Sequence, residues 1–491
     1  MAVFDHGQSD FPDQALVLQP ESNPKQAMVA VPRPNYEPEL IQRYGGAGPR
    51  YTSYPTAVQF HEDFSAVRWL EAIADSNRLP IPPDLSVYVH VPFCASPCFY
   101  CGCNRVITRS PLVGKRFLVS LEREIALLAP HFDADRQLRQ VHLGGGTPTY
   151  LDCDQLDELL KLVSKYFRLA DDAEVGLEVD PRTVAPGDIG RLAGMGFNRL
   201  SIGIQDFDQA VQKAVNREQD NARIAGLIGA ARAVGFASIS VDLIYGLPLQ
   251  TARSFARTIE AVIELRPDRI SLFNYAHMPH MFKAQRQIDE SQLPAPEEKI
   301  RIFRASMHSL LDAGYEFIGM DHFALPEDSL VRAKREGSLV RNFQGYATGG
   351  DLDLIGLGPS AISKVNDAFA QNRRDLEGWE IDLAEDRLPI WRGLICSIDD
   401  RLRAEIIGRI MCDNRLDFRE VERHYELSFR RYFADELRAL EPLADDGLIE
   451  WTATGFQVTP SGLLFLRAIA SRFDAYLGQD GSSRPRFSRI V

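Results

Sequence analysis

From Leu85 onward, short runs rich in β-branched residues alternate with longer segments of helical periodicity. Strands are expected at 86–91 (SVYVHV), 139–143 (RQVHL), 174–179 (EVGLEV), 198–203 (NRLSIG), 238–244 (SISVDLI) and 269–274 (RISLFN). Helices are expected between them, at about 112–129, 154–166, 186–195, 219–234 and 251–265, with one more at about 296–313. Strands alternating with helices of this length form βαβ units and a parallel sheet. Six such units predict an α/β sheet that curls towards a partial barrel, with its functional loops at the C-terminal strand ends. On the first strand Tyr88 and His90 share parity, so both face the same side of the sheet.

The residues at those strand ends are unusual. The first strand runs into a cysteine-rich loop and the second into Gly144-Gly145-Gly146-Thr147-Pro148. The third ends on Glu178-Val179-Asp180-Pro181 and the fourth on Gln205-Asp206. The fifth carries Asp242 and ends on Gly246-Leu247-Pro248, and the sixth ends on Asn274-Tyr275-Ala276-His277. Turn residues at one strand end need no explanation, but polar and glycine residues at six suggest the mouth of an active site.

Around this α/β segment the pattern changes. Residues 1–35 are polar and acidic and read as a flexible arm, and 36–84 as a largely irregular lead-in with one short helix near 64–76. The catalytic segment is expected to span 85–380. In 381–491, helices at 399–412, 417–424 and 429–441 precede a hairpin over 447–458 and a final helix from Pro460 to about Leu477. That order resembles a winged helix, a mainly helical arrangement whose shape does not fix its function.

Composition narrows the partners. The chain has 491 residues and a net charge of -13, and its last segment is acid-rich, which argues against nucleic-acid binding. No apolar run reaches the ~18 residues of a membrane span, and the N-terminus lacks the features of a secretory signal. A cytoplasmic protein is expected. Of seven cysteines, Cys94, Cys98, Cys101 and Cys103 lie close together, whereas Cys153, Cys396 and Cys412 are scattered and read as small buried hydrophobes. An odd cysteine count without a signal peptide suggests thiols and a metal site rather than a disulfide framework.

Cys94-x3-Cys98-x2-Cys101 follows a strand, and soft thiolates suit zinc or an iron–sulfur cluster. Structural zinc prefers four ligands in two separated pairs. Cys103 could supply a fourth, in tight geometry. The spacing, the aromatic Tyr100 before the third cysteine and the following glycine-rich loop resemble the radical S-adenosylmethionine (SAM) superfamily. There, three cysteines hold a [4Fe–4S] cluster whose open iron chelates SAM, and the cluster cleaves SAM to a 5′-deoxyadenosyl radical.

Further stretches are similar to the oxygen-independent coproporphyrinogen III oxidases. They include RYTSYP at 50–55, YVHVPFC at 88–94, CGCN at 101–104, EVDPR at 178–182, QDF at 205–207, DLIYGLP from Asp242, FNYAH at 273–277, GMDHFA at 319–324, RNFQGY at 341–346 and FSR at 487–489. The resemblance implies anaerobic oxidative decarboxylation of two propionates of coproporphyrinogen III to vinyl groups, giving protoporphyrinogen IX in haem biosynthesis. It implies a [4Fe–4S] cluster on Cys94, Cys98 and Cys101 and two SAM molecules consumed as co-substrate. Tyr88, Gly145, Glu178 and Ile362 would contact the first SAM. Tyr100, Gly146, Thr147, Gln205, Arg217, Asp242 and Ala276 would contact the second. Tyr88, His90, Cys103 and Glu178 are candidates for catalytic roles.

Arg50 could pair with a propionate or be a solvated surface arginine, and His322 reads as structural. Arg341, Asn342 and Gln344 could form a lid or a plain surface loop. The resemblance also implies a monomer and a low-potential electron donor such as flavodoxin or ferredoxin. A haem-trafficking protein on the same scaffold is the alternative; such relatives typically lack Cys103 and RYTSYPTA, both present here.

Overall fold

Every strand of the parallel sheet alternates between a polar residue facing inward and an aliphatic one facing outward. On the first strand, β1 (Leu85–Val91), Val87, Val89 and Val91 are buried, while Ser86, Tyr88 and His90 take the opposite face. The same alternation places Gln140 and His142 of β2 (Gln137–Gly145) and Glu174 and Glu178 of β3 (Arg168–Val179) inside. Arg199 and Ser201 of β4 (Arg199–Gln205), Ser238, Ser240 and Asp242 of β5 (Ser238–Tyr245), and Arg269 and Ser271 of β6 (Arg269–Asn274) follow it too. Parallel strands packed on both faces usually read as continuous apolar runs. The alternation here is explained by what the inner face lines: a polar cavity of about 220 Å³.

This architecture is seen in a computed structural model that describes residues 33–477 apart from Tyr36 and Asp351. The expected flexible arm and the FSR stretch at 487–489 therefore lie almost wholly outside the described residues. Within them, the six predicted strands and the helices between them all form.

The helices cover the outer, aliphatic face. Ala252–Leu265 begins with a reciprocal cap between Thr251 and Ser254 and buries Phe255, Ile259 and Val262. Cys153–Tyr166 begins with the same device between Asp152 and Gln155, and buries Leu156, Leu159, Leu160 and Val163. Each box satisfies amide donors that a helix start leaves open. Burying four such aliphatic side chains stabilises the fold by several kcal/mol, at roughly 1.5–3 kcal/mol each.

Sequence periodicity missed half of the sheet. Six further strands extend it: β7 (Glu316–Gly319), β8 (His322–Ala324), β9 (Asp353–Leu357), β10 (Ile362–Val365), β11 (Ala368–Asn372) and β12 (Ile390–Ile395). The twelve strands run in the order β12-β11-β10-β9-β1-β2-β3-β4-β5-β6-β8-β7. β9 joins β1 in parallel, with Tyr88 opposite Gly356, and the other added strands pair antiparallel. Glu124, buried beneath this junction, accepts from the Gly358 amide at 2.8 Å, Asn372 Nδ2 at 2.5 Å and Trp379 Nε1 at 3.2 Å. A carboxyl so enclosed titrates high, at about 7, because burial penalises its charged form.

The C-terminal segment has the expected order with different detail. Helices Ile398–Asp413 and Phe418–Tyr425 form, and the expected third helix is broken into Phe429–Tyr432 and Ala434–Asp445. The hairpin Ile449–Trp451/Gly455–Val458 gains a third strand, Arg415–Asp417. The final helix is not continuous. It splits into 3-10 turns at Gly462–Phe465 and Ser471–Phe473 around a short α-helix, Leu466–Ala470. In the lead-in, the expected helix spans Ala66–Asn77, and a further one, Pro38–Tyr44, was not anticipated.

Candidate active site

The cysteine loop is pinned at both ends and along its length. Phe93–Cys94 pairs with Val106–Ile107, closing its base. Asn216 Nδ2 donates to the Pro97 carbonyl at 2.7 Å, and the Phe99 amide donates to the Val215 carbonyl at 3.0 Å. Gln285 Nε2 donates to the Tyr100 carbonyl at 2.9 Å and to that of Ala276 at 3.2 Å, tying Tyr100 and Ala276 together. Phe99 and Tyr100 also pack on a small core of Val211, Val215, Leu247, Tyr275 and Ile288. Protein contacts thus order the loop.

Cys94, Cys98, Cys101 and Cys103 share the wall of a cavity of about 200 Å³ with Tyr100, Gly145, Gly146, Thr147, Glu178, Gln205, Arg217 and Asp242. Residues on or just after the first five strands, with Arg217 from the loop beyond the fourth, therefore meet on one wall; Tyr88, His90 and Ala276 are not on it. Among the described residues no trio of His, Cys, Asp or Glu side chains is drawn together tightly enough for a single metal ion. A cluster with one iron per thiolate needs wider spacing, and the rest of the donor environment suits it. Thr147 Oγ1 lies 3.3 Å from Cys94 Sγ. Arg217 Nη1 and Arg182 Nη2 lie 3.5 and 3.6 Å from Cys98 Sγ, a cationic flank for an anionic thiolate cluster. Cys103 is exposed and donates its amide to Cys101 Sγ at 3.4 Å. A hydrogen bond from the Cys103 thiol lowers Cys101 to about 6 against the opposing effect of burial.

Asp180 holds the two guanidiniums. It accepts from Arg182 at 2.7 Å and from Arg217 at 3.2 Å, while Arg217 Nη2 also donates to the Gly203 carbonyl at 2.6 Å. Burial alone would push the Asp180 carboxyl up, but Arg217 and Arg182 more than offset it and hold it below the usual range. Two buried polar atoms on this wall, Gln205 Oε1 and Arg217 Nε, have no partner. Gln205 also holds a left-handed backbone, φ 67, rare for a residue with a side chain. Unsatisfied buried groups facing a cavity suit a polar ligand.

The glycine run is required by close approach. At Gly145, φ is +115 and an added Cβ would lie 2.8 Å from the His90 ring. At Gly146 it would lie 2.8 Å from the Pro92 backbone, and at Gly144 2.7 Å from Glu178. Glu178 Oε2 accepts from the Gly145 amide and Oε1 meets His142 Nε2, both at 3.2 Å. The His142 ring lies nearly parallel to that of Tyr88, at 14° and 6.0 Å. Asp242 accepts from Ser201 at 3.2 Å, and burial raises its carboxyl to about 6, with the charge of Glu178 adding to the effect.

Tyr88 and His90 share a face, and they touch. His90 Nε2 meets the Asn104 carbonyl at 2.9 Å, so it carries the proton. Nδ1, 3.2 Å from Tyr88 Oη, is then left to accept from the phenol. Burial lowers the imidazole, favouring this neutral form. Ile362 is not on the cavity wall: its backbone lies against Gly356, whose strand separates it from Tyr88.

Several expectations change. Arg50 is half-buried rather than a solvated surface arginine, and it forms an ion pair with the buried Asp321. His322 lines the barrel cavity. Arg341 and Asn342 form one strand of a hairpin, Val340–Asn342/Gly345–Ala347, with Gln344 at its turn, so the plain surface loop does not hold. Cys412 is buried as expected, but Cys153 and Cys396 are only half-buried. His142, Asp180, Arg182 and Ser201 were missed. Strand parity with Tyr88-type positions would have found His142 and Ser201, and Asp180-x-Arg182 lay within a motif already noted.

The Radical SAM superfamily profile matches residues 88–262, and the HemN C-terminal domain profile matches 397–465. The chain is 49% identical to the oxygen-independent coproporphyrinogen III oxidase of Salmonella typhimurium, over 92% of this chain and 98% of the relative. It is 47% identical to that of Escherichia coli, over 94% of this chain and 100% of the relative. A solved structure described as coproporphyrinogen III oxidase (HemN) from Escherichia coli, a radical SAM enzyme, superposes with a TM-score of 0.87 at 46% identity, covering 91% of this chain and all of the other.

Proposed function

Because the chain belongs to the oxygen-independent coproporphyrinogen III oxidase family, we propose that it decarboxylates two propionates of coproporphyrinogen III to vinyl groups, giving protoporphyrinogen IX in haem biosynthesis. The observation that carries the reading is the convergence of three spaced thiols, a glycine cradle and partnerless buried polar atoms on one cavity that continues into the barrel through Glu178, Ser201 and Asp242. When bound, the [4Fe–4S] cluster and SAM supply a 5′-deoxyadenosyl radical that takes a propionate β-hydrogen. Each substrate radical would then lose CO2 and pass one electron to an external one-electron acceptor, leaving the vinyl group.

The chain's own residues bind and orient. Cys94, Cys98 and Cys101 hold the cluster, and the Arg182/Arg217 pair balances its charge. Gly145 leaves room for the cluster-bound SAM, with Tyr88, Glu178 and Ile362 about it. His90 fixes the Tyr88 phenol through its neutral tautomer. Tyr100, Gly146, Thr147, Gln205, Arg217, Asp242 and Ala276 surround a second SAM; the partnerless Gln205 Oε1 is an acceptor for it, and Arg217 Nε a donor. Cys103, whose amide donates to Cys101 Sγ, is read as a catalytic residue.

The low-potential electron donor is read as flavodoxin- or ferredoxin-like, and the enzyme as a monomer that binds neither nucleic acid nor membrane. No helix among the described residues is long and apolar enough to cross a membrane. The cytoplasmic reading rests on the free cysteines, which suit a reducing compartment. The segments 1–35, 36–84, 85–380 and 381–491 are read as arm, lead-in over the site, catalytic barrel and C-terminal domain.

Anaerobically reconstituted enzyme given coproporphyrinogen III, SAM and a strong reductant should release 5′-deoxyadenosine and, after oxidation, show protoporphyrin fluorescence. Deoxyadenosine without protoporphyrin would remove the substrate assignment.

A further inference from the structure

Beyond the cluster end, a second cavity of about 150 Å³ opens between the lead-in segment, the Val340–Asn342/Gly345–Ala347 hairpin and the β9–β11 edge of the sheet. Gln140 lines both it and the barrel cavity, so the two are neighbours across one side chain. Its wall is apolar on one side, with Phe343, Leu352, Leu354 and Phe369. The only formally charged residues of its wall, among the described residues, are two cations, Arg341 and Lys364.

Arg341 is held in place without being neutralised. Its Nε donates to the Arg50 carbonyl at 3.0 Å, and its guanidinium lies 4.7 Å over the Tyr346 ring. Its Nη1 is buried and has no partner, as is Ser86 Oγ on the same wall. The nearby carboxylate, Asp321, is already engaged by Arg50. Positive charge is therefore in excess, and burial lowers the proton affinity of Arg341, with the charge of Arg50 acting the same way. A partnerless buried guanidinium donor, an unpaired ammonium and a hydroxyl beside an apolar wall match a carboxylate carried on an apolar body.

The position relates this wall to the reaction. Ser86 precedes Tyr88 by two residues on β1, a displacement of about 7 Å along the strand. A carboxylate held here sits below the Tyr88 level, where the reacting arm would be presented. Resting on the decarboxylase reading, we propose that this side cavity is an anchoring subsite for a propionate that does not react, with Arg341 and Lys364 as its cationic ligands and Ser86 as a further donor. Arg50 and Asp321 are positioning residues: the first supplies the carbonyl that orients Arg341, and the second occupies the Arg50 guanidinium so that it does not compete.

The test uses cluster-loaded full-length enzyme under anaerobic conditions. Coproporphyrin III, a stable tetracarboxylate, and its tetramethyl ester serve as fluorescent binding probes, and KM and kcat are measured with coproporphyrinogen III. Arg341→Gln should weaken tetracarboxylate binding and raise KM by about 10- to 100-fold, with kcat at saturation changed by less than about threefold. Lys364→Gln, at a more exposed charge, should raise KM by about 3- to 10-fold. Neither should alter binding of the ester, cluster content or SAM affinity. Unchanged KM and tetracarboxylate affinity in Arg341→Gln would overturn the proposal; if that variant loses its cluster, an unchanged KM in Lys364→Gln would do so equally. Wild-type enzyme that cleaves SAM but forms no protoporphyrinogen from coproporphyrinogen III would instead overturn the decarboxylase reading, and this subsite with it.

Discussion

The cluster end of the barrel and the side cavity under the hairpin are both rich in arginine, and they treat that charge in opposite ways. At the cluster end Asp180 binds Arg182 and Arg217 together, so the two guanidiniums near Cys98 share one carboxylate. At the side cavity Arg50 takes Asp321, and Arg341 is left with an open donor. Two cations tied by one carboxylate are fixed in place and keep a net positive charge towards a permanent anionic cofactor. An unsatisfied cation has a cost that only a transient anionic ligand offsets. The first region is built around something that stays, the second around something that comes and goes.

That contrast can be broken most forcefully at the cluster. Cys98→Ala should reduce deoxyadenosine release by at least about 10³-fold and lower bound iron, while the porphyrin probe still binds; substantial activity would remove the cluster assignment. Gly145→Ala comes next. It forces a Cβ against the His90 ring at φ +115, and SAM affinity should fall by about 10- to 100-fold with iron content retained. Asp180→Asn sharpens the electrostatic side of the comparison. Arg217 and Arg182 would lose their shared carboxylate, and a drop of about tenfold in kcat/KM with a measurable loss of thermal stability is expected. A stable, fully active variant would show that the pairing is incidental.

The smallest effect is a pH dependence. Asp242 titrates at about 6 because of its burial. Its raised value means that the folded protein binds this proton where the unfolded chain has released it, so Asp242 contributes less stability as pH rises from about 4 through about 6. Function is expected to run the other way, because the ionised carboxylate is the stronger acceptor for the second SAM that Asp242 is proposed to bind. SAM affinity should therefore fall several-fold between pH 7 and about 5.5, and this step should be absent from Asp242→Asn, measured by titration in buffers of equal ionic strength.

The two regions also differ in how far the sequence revealed them. The cluster end follows from local order: three cysteines within one loop, GGGTP directly after a strand, and polar residues at successive strand ends. Those signals are short-range, and five of the six parallel strands carrying them were found within two residues of their limits, the third beginning six residues earlier than expected. The side cavity comes from pairings distant along the chain. β9 joins β1 across more than 250 residues, and Arg341 meets the Arg50 carbonyl across 291. Strands of three to six residues such as β8 and β10 bear too few positions for periodicity to register. The inward polar alternation of the parallel strands was visible, but Tyr88 and His90 were the only pair read that way. Extending the same parity to β2 would have placed His142 beside Glu178. Arg50 could not be judged from sequence, because its partner Asp321 lies 271 residues away.

The central claim is hydrogen abstraction from a propionate bound in this barrel. Coproporphyrinogen III deuterated at the propionate β-carbons should transfer label into 5′-deoxyadenosine, with two labelled molecules formed per protoporphyrinogen. Deoxyadenosine that stays unlabelled while protoporphyrinogen accumulates would contradict the account.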